Sequence, residues 1–206
     1  MAEYFYREAK GSGPEAPLLV VFHGTGGDEN QFFALGGELV PGGRIVAPRG
    51  DVSEGGALRY FRRTGEGRYD MEDLALRTKA MADFVAARIA ETKPSKVIGL
   101  GYSNGANILA SVQFSAPELF DAAVLMHPLI PFQPAPAPAL KGRSVLITAG
   151  RHDPIAPAPA TQALSDYFLA QGAATTLFWH EGGHELRPEE LRETQRLLSS
   201  VTRVGA

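Results

Sequence analysis

Apolar residues in this chain gather in short unbroken runs rather than alternating with polar ones. Such runs lie at 18–22, 44–47, 96–100, 122–126, 144–149 and 175–179, and each predicts a strand. A strand covered by helices on both faces has no polar side, so continuous runs of this length point to parallel pairing. Residues 4–7 add a weaker signal, that of an antiparallel edge strand. The intervening segments carry a helical period. Leu74, Thr78, Met81, Val85 and Ile89 recur at helical spacing within 71–91, with Asp70 placed to cap the start and Pro94 just past the end. Further helices are predicted at 104–114, at 161–171 with Gly172 as a stop, and at 188–201 with Pro188 in the first turn. No internal repeat is visible. Strands alternating with helices predict an α/β fold: a doubly wound, mostly parallel central sheet with helices on both faces.

Two segments fall outside this rhythm. Residues 50–69 hold five glycines around Arg59-Tyr60-Phe61-Arg62-Arg63. They follow a strand and could border a site at the strand ends. Tyr60 and Phe61 then line a substrate pocket, and Arg62 or Arg63 attracts an anionic substrate. The other reading is a solvated basic loop with an aromatic tucked into the core. Residues 128–139 are rich in proline, which favours extended geometry over a helical lid. Leu129, Ile130 and Phe132 offer either an apolar wall or a stiff connector.

Composition narrows the picture. A chain of 206 residues with 44% hydrophobic content fits one domain, 1–206, with a sizeable core. A net charge of −3 gives no electrostatic footprint for nucleic acid. No apolar stretch approaches a membrane span, and no secretory signal is visible at the start, so the cytoplasm is the expected location. The absence of cysteine removes thiol chemistry and cysteine metal sites. No histidine spacing is read as a metal motif, so neither metal nor other cofactor is expected. A homodimer is compatible with the sequence, which does not select an oligomeric state.

The candidate chemistry centres on Gly101-Tyr102-Ser103-Asn104-Gly105. This G-x-S-x-G stands between a predicted strand and a predicted helix. A sharp turn there thrusts the serine outward in a strained conformation, and the flanking glycines let strand and helix approach closely. A hydroxyl nucleophile also needs a base, and the base an orienting carboxylate. Asp153 follows the run at 144–149, and His184 lies in the glycine-rich turn after 175–179. The order Ser103, Asp153, His184 is that of an α/β-hydrolase triad. All three lie beyond carboxyl ends of strands, where α/β sheets form their ligand sites. His180 ranks second as base. His152 adjoins the proposed acid and cannot easily reach across to it. His23-Gly24-Thr25-Gly26-Gly27 follows the run at 18–22 and lacks both the P-loop lysine and dinucleotide-binding spacing. It suits an oxyanion loop. The backbone N–H groups of Thr25 and Asn104 are the expected donors, each worth about 3 kcal/mol to a developing oxyanion.

These segments, together with Ala47-Pro48-Arg49-Gly50 and Tyr69-Asp70-Met71-Glu72-Asp73-Leu74, resemble the α/β-hydrolase superfamily. Within it, they resemble the small bacterial carboxylesterase, phospholipase and acyl-protein thioesterase group. The resemblance implies a serine esterase with Ser103 as nucleophile, Asp153 as acid, His184 as base, and Thr25 and Asn104 as oxyanion donors. It implies a small-molecule ester substrate and no cofactor. The thioesterase branch usually has glutamine after the nucleophile, where this chain has Asn104, which weakens the case for acylated protein as substrate. Related dienelactone hydrolases use a cysteine nucleophile, and this chain has none. Tyr102, Ile155 and Leu186 are candidate substrate contacts, with core packing the competing reading. Ser103 and Asp153 lie 50 positions apart, which leaves no room for a large inserted cap and suggests an open cleft suited to small or short-acyl esters.

Overall fold

The computed structural model describes residues 4–203. In chain order it contains β1 (Tyr6–Ala9), β2 (Leu18–Phe22), α1 (Phe33–Leu39), β3 (Arg44–Pro48), β4 (Val52–Glu54), β5 (Ala57–Arg59), β6 (Arg63–Gly65), β7 (Arg68–Tyr69), α2 (Met71–Thr92), β8 (Val97–Tyr102), α3 (Asn104–Ser115), β9 (Ala122–Met126), β10 (Ser144–Gly150), α4 (Ala158–Ala170), β11 (Ala174–His180) and α5 (Pro188–Thr202). Seven strands form one sheet in the order β1-β3-β2-β8-β9-β10-β11, all parallel except the antiparallel edge β1.

Alternate residues of each strand feed two cores. Leu18, Val20 and Phe22 face the side covered by α2, α3 and α4, with Met81, Val85, Ile108, Leu109 and Phe168. Leu19 and Val21 face α1 and α5, with Phe32, Leu39 and Leu198. The expected helices on both faces follow from strands that have no polar side. Asp70 caps α2 as expected, accepting from the Asp73 N–H, and Lys93 ends it in the left-handed region.

Two expectations change. The 50–69 segment is not a plain loop but two small antiparallel hairpins, β4–β5 and β6–β7. The proline segment forms no helical lid, as expected, but it is not a stiff surface connector. It packs down: Ile130 is buried, the Leu129 N–H donates to Asn107 Oδ1 at 2.7 Å, and Phe132 meets Phe114 edge-on. Between α3 and β10 the described chain holds only β9, this segment and a single 3₁₀ turn at Pro138–Leu140, so no cap is inserted there. Among the described residues, no helix is long and apolar enough to cross a membrane.

Candidate active site

β8 runs straight into α3, and the reversal between them falls on Ser103, whose φ of 53° lies in the left-handed region. A side chain rarely occupies that region without a surrounding structure that enforces it. Here the Ser103 N–H is tied to the Met126 carbonyl at 2.8 Å, and the flanking glycines allow the approach. A Cβ on Gly101 would meet the Gly105 carbonyl oxygen at 2.5 Å, and one on Gly105 the Phe22 carbonyl oxygen at 2.4 Å.

Three side chains separated in sequence converge at the carboxyl ends of β8, β10 and β11. Ser103 Oγ stands 2.8 Å from His184 Nε2, and His184 Nδ1 stands 2.7 Å from Asp153 Oδ2. A hydroxyl on one ring nitrogen and a carboxylate on the other fix the tautomer, with the proton on Nδ1. Asp153 is buried. Its Oδ1 accepts from the N–H groups of Ile155 at 2.8 Å and Ala156 at 2.9 Å. Burial pushes its carboxyl up, but these bonds and those from two histidines outweigh it and hold the group below the usual carboxylate range. The Tyr102 hydroxyl donates to the His184 carbonyl at 2.7 Å and so pins the turn that carries the ring.

The loop after β2 is fastened at nearly every backbone group. The Gly24 N–H donates to Gln31 Oε1 at 2.8 Å, and its carbonyl accepts from His23 Nδ1 at 2.7 Å. The N–H of Gly26 goes to the Leu58 carbonyl and that of Gly27 to the Gly24 carbonyl, each at 3.0 Å. Arg59 Nη1 holds Thr25 Oγ1 at 2.9 Å. Among the described residues the Thr25 N–H has no protein acceptor, and neither does that of Asn104 in the first turn of α3. Two such unpaired N–H groups are what an oxyanion site requires. The Asn104 side chain adds a tie, its Oδ1 accepting from the Tyr60 N–H at 2.8 Å. That bond fixes the segment bearing Arg59, so the Thr25 and Asn104 regions brace each other through residues 59–60.

Several sequence expectations are corrected. Tyr60 and Phe61 are 0% exposed and line no pocket. The Tyr60 hydroxyl donates to the Pro48 carbonyl and accepts from the His23 N–H, while Phe61 packs edge-on against Tyr69. Arg62 pairs with Asp70, and Arg63 with Glu54, so neither is a bare cation waiting for a substrate. Of the other residues named from sequence, Tyr102 has its hydroxyl engaged as described. Ile155 stands 53% exposed beside Asp153, open to a ligand. His152 is exposed and lies 3.8 Å from Glu181. His180 is buried and turned away from Ser103 toward Glu190.

Two residues escaped sequence reasoning: His127, which bonds Asp153 Oδ2 at 2.9 Å, and Glu190, which bonds His127 at 3.0 Å. The one signal for His127 was its place directly after a strand, as with Ser103. The segment His180-Glu181-Gly182-Gly183-His184 also contains an H-E-x-x-H spacing that the sequence reading passed over. That motif needs a helix to put both histidines on one face. Here it crosses a strand end and a turn, so one ring faces Glu190 and the other Ser103, with Glu181 out in solvent.

A cavity of about 510 Å³ lies between α2, α3 and residues 132–135 and is lined by none of the three converging side chains. The serine instead sits at an open rim, only partly covered.

A seven-stranded, mostly parallel sheet with a strained serine at the β8–α3 turn defines an α/β-hydrolase. The chain belongs to the dienelactone hydrolase family, whose model matches residues 9–186. In this member a serine stands at the elbow, and the chain has no cysteine. It is 36% identical over 185 residues to the putative hydrolase MhqD of Bacillus subtilis, covering 89% of this chain and 92% of that one. Among solved structures, it resembles a carboxylesterase of Bacillus cereus at 34% identity with a TM-score of 0.89, covering 97% of this chain and 95% of that one. A protein of unknown function from Agrobacterium tumefaciens is 55% identical with a TM-score of 0.92, over 96% of each chain. These likenesses make the chain a hydrolase of the dienelactone hydrolase and carboxylesterase type.

Proposed function

We propose that this protein is a serine carboxylesterase that cleaves small or short-acyl carboxylic esters through an acyl-enzyme on Ser103. The observation that carries the reading is the continuous chain from Ser103 Oγ through His184 to Asp153, at 2.8 and 2.7 Å, with the serine on a strained turn. Ser103 Oγ attacks the ester carbonyl carbon as its proton passes to His184 Nε2. The carbonyl oxygen becomes an oxyanion, met by the Thr25 and Asn104 N–H groups. His184 then returns the proton to the departing alkoxide, and the acyl group stays on Ser103. Water, deprotonated by the same ring, attacks the acyl-enzyme, releases the carboxylic acid and regenerates the serine. Asp153 holds the ring's tautomer and stabilises its cationic form.

The open rim and the lack of an inserted cap support a preference for short acyl groups. Exposed Ile155 offers one apolar contact for them. Matched series of esters, thioesters and amides of increasing acyl length, run on the wild type and Ser103→Ala, test the reading. Ester turnover should be highest at short acyl length, and kcat in Ser103→Ala should fall about 10⁴-fold or more. A thioesterase or lysophospholipase would use the same groups, and higher kcat/KM on thioesters or on lysophospholipid would identify it. A steady rise to long acyl chains with interfacial activation contradicts the short-acyl assignment.

A further inference from the structure

Behind Asp153 lies a second set of ionisable groups that the reaction above does not use. His127 and Glu190 have no exposed surface, and His180 has little. Their hydrogen bonds assign the protons. The Gly182 N–H donates to His180 Nδ1 at 2.9 Å, so that ring carries its proton on Nε2, which faces Glu190 Oε2 at 3.2 Å. His127 has carboxylate oxygens on both sides: Asp153 Oδ2 at 2.9 Å from Nδ1, and Glu190 Oε1 at 3.0 Å from Nε2. The His180 Nε2–H also lies 3.4 Å from His127 Nε2, but Glu190 Oε2 is nearer to it at 3.2 Å, and Glu190 Oε1 is the nearer neighbour of His127 Nε2. A bare nitrogen at either position of His127 would set lone pair against lone pair in a dry interior, so both nitrogens donate and the ring is an imidazolium.

The carboxylates are otherwise satisfied. Thr148 Oγ1 donates to Glu190 Oε1 at 2.6 Å, and the Arg187 N–H donates to Oε2 at 2.7 Å. The backbone adds a second mark. His127 directly follows β9 with φ of 52°, the same left-handed region as Ser103 at the end of the neighbouring strand, and its N–H is anchored on the Thr148 carbonyl at 2.8 Å. Strain of this kind in a non-glycine residue persists where the surroundings impose it, and it clusters at functional sites.

We propose that His127 is a positioning residue for the triad: anchored on Glu190 as an imidazolium, it grips Asp153 Oδ2, the oxygen that also accepts the His184 Nδ1–H hydrogen bond, and locks that carboxylate in the orientation that holds His184 against Ser103. This inference rests on the esterase reading above. It extends the chain of contacts from Ser103, His184 and Asp153 to His127 and Glu190, which reaches the first turn of α5. The groups facing His127 are Asp153 and Thr148 from β10 and its following turn, Glu190 from α5, His180 from β11, His184 from the turn after it, and the Tyr102 ring at the end of β8. Burial pushes the His127 ring toward neutrality, but the bonds to Glu190 and Asp153 outweigh it and raise its pKa above the ordinary imidazole value.

The test compares the wild type, His127→Ala, His127→Gln, Glu190→Gln and Ser103→Ala as full-length chains, read by kcat, KM and pH profile on a short-acyl ester and by ¹⁵N NMR of the imidazoles. In the wild type both His127 nitrogens should be protonated across the pH range of highest kcat. His127→Ala should lose about 10- to 100-fold in kcat, with KM changed less than about threefold, because the lost contact serves the transition state. Glu190→Gln touches none of the three triad residues, yet it should bring the alkaline fall of kcat to lower pH, because His127 then gives up its second proton more readily. His127→Gln, a neutral donor, should recover part of the kcat and lack that alkaline fall. A His127 nitrogen that is bare or metal-bound in the pH range of highest kcat, or a folded His127→Ala with kcat within about twofold of wild type, overturns the proposal. If His127→Ala does not fold, an unmoved alkaline limb in Glu190→Gln overturns it. An active Ser103→Ala instead removes the esterase reading itself, whereas an inactive Ser103→Ala beside a fully active His127→Ala leaves the triad standing and removes only His127.

Discussion

At the scale of single residues, the site is built from close approaches. Gly105 shows this most sharply, because an added Cβ would collide with two backbone carbonyls, those of Phe22 and His23, at 2.4 and 2.5 Å. Backbone on both sides cannot yield as a flexible side chain could. Gly105→Ala should therefore cost about 3 kcal/mol or more, seen as a fall in Tm of roughly 6–12 °C for a chain of this size. An unchanged Tm would show that the turn is looser than described. Arg59 acts through geometry instead. Buried, it clamps Thr25 Oγ1 and the Phe61 carbonyl, and its ion-pair partner Glu54 is exposed, so removing the arginine strands no buried charge. Arg59→Met should lower kcat about 10-fold while leaving KM nearly unchanged, the mark of a donor lost only in the transition state. A rise in KM with kcat intact would point instead to a direct substrate contact. The triad candidates were legible because each followed its own strand and their order matched a known arrangement. Tyr60 misled because an aromatic in a glycine-rich loop looks available, whereas its side-chain hydroxyl and backbone N–H are all used to hold other segments. His127 stayed hidden because its role depends on Glu190, 63 positions further along the chain.

At the scale of elements, the strands and longer helices were read within a few residues because unbroken apolar runs and the helical period survive in the sequence. α1 did not announce itself. Its seven residues include Gly36 and Gly37, both poor helix formers, and Phe32 gives it no side-chain cap. Packing makes it a helix: a Cβ on Gly36 would reach Ile45 Cγ2 at 3.1 Å, so glycine lets the helix lie close against the sheet. The four short strands of 52–69 escaped notice because two- or three-residue ladders carry no periodicity. In α5, which Pro188 opens as expected, Glu190 in the first turn is buried, and Thr194, one turn on, is fully enclosed with no partner for its hydroxyl among the described residues. Thr194→Val removes that unpaired group at nearly constant shape. It should raise stability by about 1 kcal/mol in urea denaturation. A loss of similar size would mean that the hydroxyl has a partner in solution.

At the scale of the whole molecule, the buried charges at the carboxyl edge of the sheet couple stability to pH from both sides. Asp153 and Glu190 are both held below the usual carboxylate range: burial raises each, but the bonds from His127 and their other donors outweigh it. Their contribution is complete above the unfolded carboxylate values and is lost as pH falls through the lowered folded ones. His127 has the opposite sign. Its contribution is complete below the unfolded imidazole value and fades as pH rises through the raised folded one. Unfolding free energy measured against pH should therefore form a plateau that falls on both flanks, and His127→Gln should flatten the alkaline flank and make the acid flank shallower, because Asp153 and Glu190 lose a charged donor. A wild-type alkaline flank that is already flat would contradict a charged His127. All of this arrangement converges on one hydroxyl at an open rim. Its reactivity is tested most directly by intact mass after treatment with a fluorophosphonate. The wild type should gain one covalent adduct located on Ser103, and Ser103→Ala should gain none. A wild type left unlabelled while folded, or an adduct on another residue, would contradict the account.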